Sequence, residues 1–220
     1  RPALQAARGL AIVVSAVLFN IALAQLPVAT ATALVFSSPL FVTALSVMVL
    51  RERVDARRWG WVLLGFVGVL VVAEPDPSTF DAAVLWPIGS SAAWAVARVL
   101  TRRLADDGDS SITTQAWSCG VGLVLLSAAL PAAGRWPDAA EFGLLCAMGL
   151  AWAAAQWLVV LAYAQAQAST IAPFAYSQLI WANLLAIALL AQWPTVPTVI
   201  GSVVIGLAGL GASMARRPAS

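Results

Sequence analysis

Histidine and lysine are both missing from this chain, and each absence closes off a class of chemistry. Without histidine there is no imidazole metal ligand, no His-based triad and no HExxH protease site. Acid is scarce as well. The chain has ten Asp and Glu in 220 residues. None lies deep in an apolar run, which excludes a two-aspartate intramembrane protease. Cysteine is limited to Cys119 and Cys146, both inside apolar runs. They read as small packing residues, not as a disulfide or a metal pair. Enzyme chemistry finds no foothold, and neither a cofactor nor a metal is expected.

What the chain has in abundance is hydrocarbon. It is 61% hydrophobic and 10% charged, with a mean hydropathy of +0.89. Apolar runs fall at 10–26, 29–50, 59–73, 84–104, 112–130, 142–164, 171–191 and 196–214. Most approach the ~20 residues that cross a ~30 Å hydrocarbon layer at 1.5 Å per residue. Period-two alternation is absent, so helices are expected, not barrel strands. The fold class is all-α and polytopic, with the lipid bilayer as one partner and no nucleic acid as another.

Arginine sets the expected orientation. With residue 1 cytoplasmic, eleven of twelve Arg fall inside, from Arg1 and Arg8 through Arg51, Arg53, Arg57, Arg58, Arg98, Arg102 and Arg103 to Arg216 and Arg217. Only Arg135 falls outside. The positive-inside rule favours this arrangement strongly. Loops such as 74–77 and Pro137-Asp138 are then extracytoplasmic, and their charges read as solvated and without function.

A repeat runs through the chain. At an offset of 140, Ala22, Gln25, Thr30, Ser37 and Leu45 meet Ala162, Gln165, Thr170, Ser177 and Leu185, and Phe36 and Phe41 meet Tyr176 and Trp181. At 141, Gly60, Gly65 and Gly68 meet Gly201, Gly206 and Gly209. The orientation sends run 10–26 outward and its partner 142–164 inward, which is an inverted repeat of the kind secondary transporters use. Residues 1–75 are read as the last three helices of the first copy and 76–217 as the five of the second. Runs 84–104 and 112–130 have no earlier counterpart. Roughly sixty residues and two helices are therefore expected before Arg1, making five helices plus five, with eight present in an N-terminally truncated chain.

Polar and aromatic side chains inside the runs are the candidates for solute binding, since an unpaired buried amide costs several kcal/mol. They are Asn20, Ser37, Trp94, Gln156, Phe174, Tyr176, Gln178, Trp181 and Asn183. Phe174, Gln178 and Trp181 share one helical face. For each of them, hydrogen bonding between helices is the competing role. Arg98 is expected to act in gating or helix orientation. Pro39 and Pro173 each remove a backbone donor near the start of a span. Trp59, Trp61, Trp86, Trp136 and Trp193 read as interfacial anchors. The matched glycines permit close helix packing, within the chain or in a homodimer. The lack of fixed charge at the midplane favours a neutral or zwitterionic, partly aromatic metabolite over a phosphate ester. A monocationic drug on Trp94 or Trp181 is a further fit.

The stretches Leu26-Pro27-Val28-Ala29-Thr30 to Ser37-Ser38-Pro39, Arg51-Glu52-Arg53-Val54, Gly65-Phe66-Val67-Gly68 and Ala172-Pro173-Phe174 with Tyr176-Ser177-Gln178-Leu179-Ile180-Trp181 resemble the EamA-type branch of the drug/metabolite transporter superfamily. The resemblance implies ten helices in two inverted repeats around a central cavity, with alternating access. It implies that runs 10–26, 29–50, 84–104, 142–164 and 171–191 line that cavity. One departure is Ala191-Gln192, where the family often keeps Gly-Glu. Within the family, 174–182 is most similar to bacterial members that move S-adenosylmethionine or related metabolites. The expected function is a secondary transporter of a small metabolite or drug-like solute. An S-adenosylmethionine or amino-acid-type carrier is the narrower alternative, and a non-transporting membrane interaction protein the different class. Abundant Ala and Arg without lysine points to a GC-rich bacterial genome, and so to the bacterial cytoplasmic (inner) membrane.

Overall fold

The computed structural model describes residues 1–26, 28–73, 82–129, 137–178, 181, 184, 188 and 196–214. Every regular element among them is helical. In chain order they are α1 (Pro2–Gln25), α2 (Val28–Val35), α3 (Ser38–Val49), α4 (Ala56–Ala73), a 3-10 turn at Ala82–Val84, α5 (Leu85–Asp106), α6 (Ser111–Ala129), α7 (Ala139–Gln165), α8 (Ala168–Ile171), a second 3-10 turn at Ala172–Tyr176, and α9 (Val196–Met214). Three stretches, Pro2–Gln25, Ala82–Asp106 and Ala139–Gln165, are long and apolar enough to cross a membrane. Ser38–Val49 and Val199–Ala212 are shorter apolar helices.

The helix ends follow from local chemistry. Pro2 opens α1, where its missing N–H would have no partner in any case. At the end of α5, Gly108 takes φ +86, and Asp109 N–H returns to Leu104 O at 2.9 Å. That left-handed step favours glycine. Asp138 and Glu141 form a reciprocal capping box on α7, at 2.8 and 3.0 Å. The charge at Asp138 therefore holds a helix start, a role beyond the solvated one expected for it.

One expected span is broken. Run 29–50 forms two helices that meet at Phe36-Ser37. Pro39 cannot donate to the carbonyl of Val35, and its ring crowds that group, so the first helix stops and a second begins. The released carbonyl of Leu34 accepts from Ser37 N at 3.1 Å and Ser37 Oγ at 2.6 Å. A further interruption falls where α8 gives way to the 3-10 turn carrying Pro173.

α5 is the hub, packing against α1, α2, α3 and α7. Serines stitch the hub to its neighbours. Ser90 Oγ donates to Ser15 O at 2.8 Å, and Ser37 and Ser91 lie Oγ to Oγ at 2.8 Å. Small side chains of this kind let helices approach closely. A core cluster around α5 joins Val42, Ala95, Val99, Tyr163, Ala168 and Ala172. α6 and α7 present Leu123, Leu144 and Leu150 outward at 64–74% exposure. Such a surface would aggregate in water but suits hydrocarbon.

α4 and α9, which carry the matched glycines, form the other main pair. A Cβ on Gly65 would lie 2.5 Å from the Tyr176 ring, and one on Gly68 would lie 3.1 Å from Gly201 O. Gly60 and Gly209 face open space, so the packing expected at the matched glycines does not extend to those two positions. Trp61, expected as an interfacial anchor, lays its indole against Gly211 of α9. Cys119 and Cys146 are exposed, not packed in the core. Arg8, counted among the arginines on the cytoplasmic side, lies within α1 and is 1% exposed.

Candidate functional site

Between α5 and α7 the apolar bundle holds a compact polar and aromatic group. Trp94 and Arg98 are one helical turn apart on α5, and Trp152, Gln156 and Tyr163 repeat along one face of α7. The Arg98 guanidinium carbon lies 4.2 Å from the Trp94 ring centre and 5.8 Å from that of Tyr163. Its Nη2 donates to Gln156 Oε1 at 3.0 Å. Because a guanidinium only donates, this bond fixes the amide orientation of Gln156. Arg98, Gln156 and Tyr163 are buried. Trp152 stands 6.0 Å from Trp94, centre to centre at 42°, and is 58% exposed. The group thus runs from an open indole to a buried cation.

Of the residues expected to bind solute, Trp94 and Gln156 are brought together through Arg98. The others lie elsewhere. Asn20 is exposed, and its Nδ2 donates to Ala16 O of its own helix at 2.8 Å. Ser37 is spent on the helix break and on Ser91. Tyr176 is fully buried, and its hydroxyl donates to Val62 O at 3.1 Å across to α4. Phe174, Gln178 and Trp181 are all exposed. Among the described residues, no hydrogen bond or ring contact joins those three to the Arg98 group. Asn183 lies outside the described residues.

Several polar contacts escaped the sequence reading. Arg8 Nε donates to Thr101 Oγ1 at 2.6 Å and Nη1 to Thr114 O at 3.0 Å, and Nη1 also reaches Ser118 Oγ. Gln5 Nε2 bonds Asp109 Oδ2 and Thr114 Oγ1, each at 3.0 Å. These contacts knit α1, α5 and α6 at one end. The signal available in the sequence was Pro2, a first-turn residue that extends α1 past Arg8. The Glu52 carboxylate accepts from Ala168 N at 2.8 Å, Ser169 N at 3.1 Å and Ser169 Oγ at 2.5 Å. Arg58 Nη1 donates to the same Ser169 Oγ at 3.1 Å. Arg102 Nη1 caps the last carbonyls of α7, Tyr163 O at 3.3 Å and Ala164 O at 3.1 Å. A carboxylate on a helix start and a guanidinium on a helix end both oppose the terminal dipole charges. No sequence pattern announces contacts that span sixty residues or more.

Residues 4–73 and 81–214 match the EamA-like transporter family. The chain belongs to that family. This EamA protein is 27% identical over 208 residues to an S-adenosylmethionine uptake transporter of Rickettsia bellii, covering 93% of this chain and 70% of that one. It is 33% identical over 153 residues to a riboflavin transporter of Vibrio cholerae, covering 70% of this chain and 51% of that one. A solved crystal structure shares the fold with a TM-score of 0.82, over 97% of this chain and 76% of the other, at 17% identity. The EamA protein is a multi-pass membrane transporter of small solutes in the drug/metabolite superfamily, and not an enzyme.

Proposed function

We propose that this transporter works by alternating access between two inverted repeats, residues 1–75 and 76–217, in the bacterial cytoplasmic membrane. One observation carries the reading. Arg1, at the head of α1, pairs with Asp107 just past the end of α5, at 3.4 Å. Arg102, near that same end of α5, caps the final turn of α7. The start of α1 and the end of α7 therefore share one face of the bundle, although the two helices are partners at offset 140. Equivalent helices of opposite direction are what an inverted repeat requires.

The solute meets the Trp94–Arg98–Gln156 group, with Trp152 at its open edge, on a path that Phe174, Gln178 and Trp181 border further along. Names of the relatives point to flat, nitrogen-rich metabolites, S-adenosylmethionine among them, and stacked indoles suit such rings. Any homodimer is proposed to use the open Gly60 and Gly209 positions, since Gly65 and Gly68 are filled from within. The test is solute accumulation in membrane vesicles carrying the full-length protein, with S-adenosylmethionine and riboflavin as probes. Trp94→Ala and Gln156→Ala are expected to cut uptake of the preferred probe about tenfold, the effect of ~1.4 kcal/mol of lost contact, without loss of expression. Uptake that matches empty vesicles for both probes defeats the solute assignment. Unchanged uptake in both variants defeats the placement of the site.

A further inference from the structure

The buried arginines of the bundle differ in what they touch. Arg8 gives its hydrogens to three oxygens, Thr101 Oγ1, Thr114 O and Ser118 Oγ. Arg58 shares Ser169 with the Glu52 carboxylate, which supplies a nearby negative charge. Arg8 is absorbed by the fold, and Arg58, though its Nε stays unpaired, lies beside a carboxylate that balances its charge. Arg98 is 8% exposed, yet it makes a single hydrogen bond, to Gln156 Oε1, and otherwise rests on the Trp94 and Tyr163 rings. No carboxylate pairs with it among the described residues. The one acceptor that Gln156 owns is spent on Arg98. What remains unbonded among the described residues is Arg98 Nε and Nη1 and Gln156 Nε2, and all three are donors.

We propose that this donor-only cluster is a carboxylate subsite, so that the transported solute carries a single carboxylate that docks on Arg98 and Gln156. An intramembrane cation is costly without a counter-charge, and a carboxylate provides one together with acceptors for the guanidinium and amide hydrogens that are still free. The ring of Trp94 below the guanidinium holds it by cation–π attraction while the site is empty, without neutralising it. One negative charge balances one arginine, whereas a phosphate dianion would leave an excess. Trp152, 6.0 Å from the Trp94 ring and open, offers a stacking face for the rest of the solute. The result is selection for amino-acid-type zwitterions over relatives that lack the carboxylate. The inference rests on the transporter reading above and adds the chemical group that is recognised.

The experiment compares matched probes in vesicles carrying the full-length protein. The pairs are S-adenosylmethionine against its decarboxylated form and L-tryptophan against L-tryptophanamide, with riboflavin as a flat ring that lacks a carboxylate. The acid of at least one pair is expected to be moved about tenfold better than its partner. Arg98→Gln should bring the two within about threefold of each other, while Arg98→Lys keeps part of the preference. If Arg98→Gln does not fold, the acid-to-amide ratio in the unaltered protein and in Arg98→Lys decides. Equal movement of acid and amide, or transport restricted to riboflavin and unaffected by Arg98→Gln, overturns the subsite and leaves the transporter reading standing. If no probe is moved, both fall together.

Discussion

Tyr176 illustrates what a single polar residue in a membrane helix does and does not disclose. Its composition and position fit a solute contact equally well as a contact between helices, because either one satisfies a hydroxyl in hydrocarbon. The structure gives its hydroxyl to Val62 O and lays its ring on Gly65, where any side chain would collide with it. Tyr176→Phe loses one hydrogen bond, and a drop of about 1 kcal/mol is expected. Gly65→Val must displace a fully buried ring. Its expected cost is larger, about 1–3 kcal/mol from overpacking. Thermal unfolding of the detergent-solubilised full-length protein should rank wild type above Tyr176→Phe and Tyr176→Phe above Gly65→Val. A Gly65→Val protein as stable as wild type would contradict the packing described here. Trp94 and Gln156 were legible as polar and aromatic intruders in apolar runs. The contact of Arg98 with both was not, since the sequence offered Arg98 only as a gating or helix-orienting residue.

At the level of elements, apolar length located helices well and helix breaks poorly. Run 196–214 coincides with α9, and run 84–104 with α5 to within two residues at its C-terminal end. Run 29–50 hid a break, because Phe36 and Ser37 are no less compatible with a helix than their neighbours and Pro39 is tolerated in the first turn of the next one. The four-residue α8 could not have been drawn from sequence at all. A helix that short has no stability of its own. It exists because Glu52, beyond the end of α3, supplies acceptors for the N–H groups of Ala168 and Ser169. Arg51 takes φ +55 beside it, turning the chain so that the carboxylate can reach across. Glu52→Ala removes both caps and leaves two N–H groups searching for partners, at an expected cost of about 1–2 kcal/mol. Glu52→Gln keeps acceptor capacity and should lose less. Hydrogen exchange of the Ala168 and Ser169 amides checks this directly. Protection unchanged in Glu52→Ala would mean that α8 is held by packing alone.

The whole molecule has a charged end, and contacts between distant segments define it. Arg1 meets Asp107, Glu52 meets Ala168 and Ser169, and Arg102 meets Tyr163 and Ala164. The head of α1, the link from α3 to α4, the tail of α5 and the link from α7 to α8 therefore gather at one face. That face also carries Arg51, Arg53, Arg57 and Arg103 on the same short segments. A bilayer with acidic lipid on its cytoplasmic side draws such a face inward. Each helix that leaves it must arrive at the opposite side. On the proposed topology, α1 then runs out where α7 runs in. A reporter active only in the cytoplasm should give signal when fused after Arg58 or Asp107, and also after Ser220. It should be silent after Asp76 and Trp193. Signal at Asp76 would mean that α4 fails to cross, which leaves α1 and α7 without opposite directions. The inverted repeat would then fail along with the topology, whereas silence at Asp76 combined with signal at Asp107 requires both α4 and α5 to span.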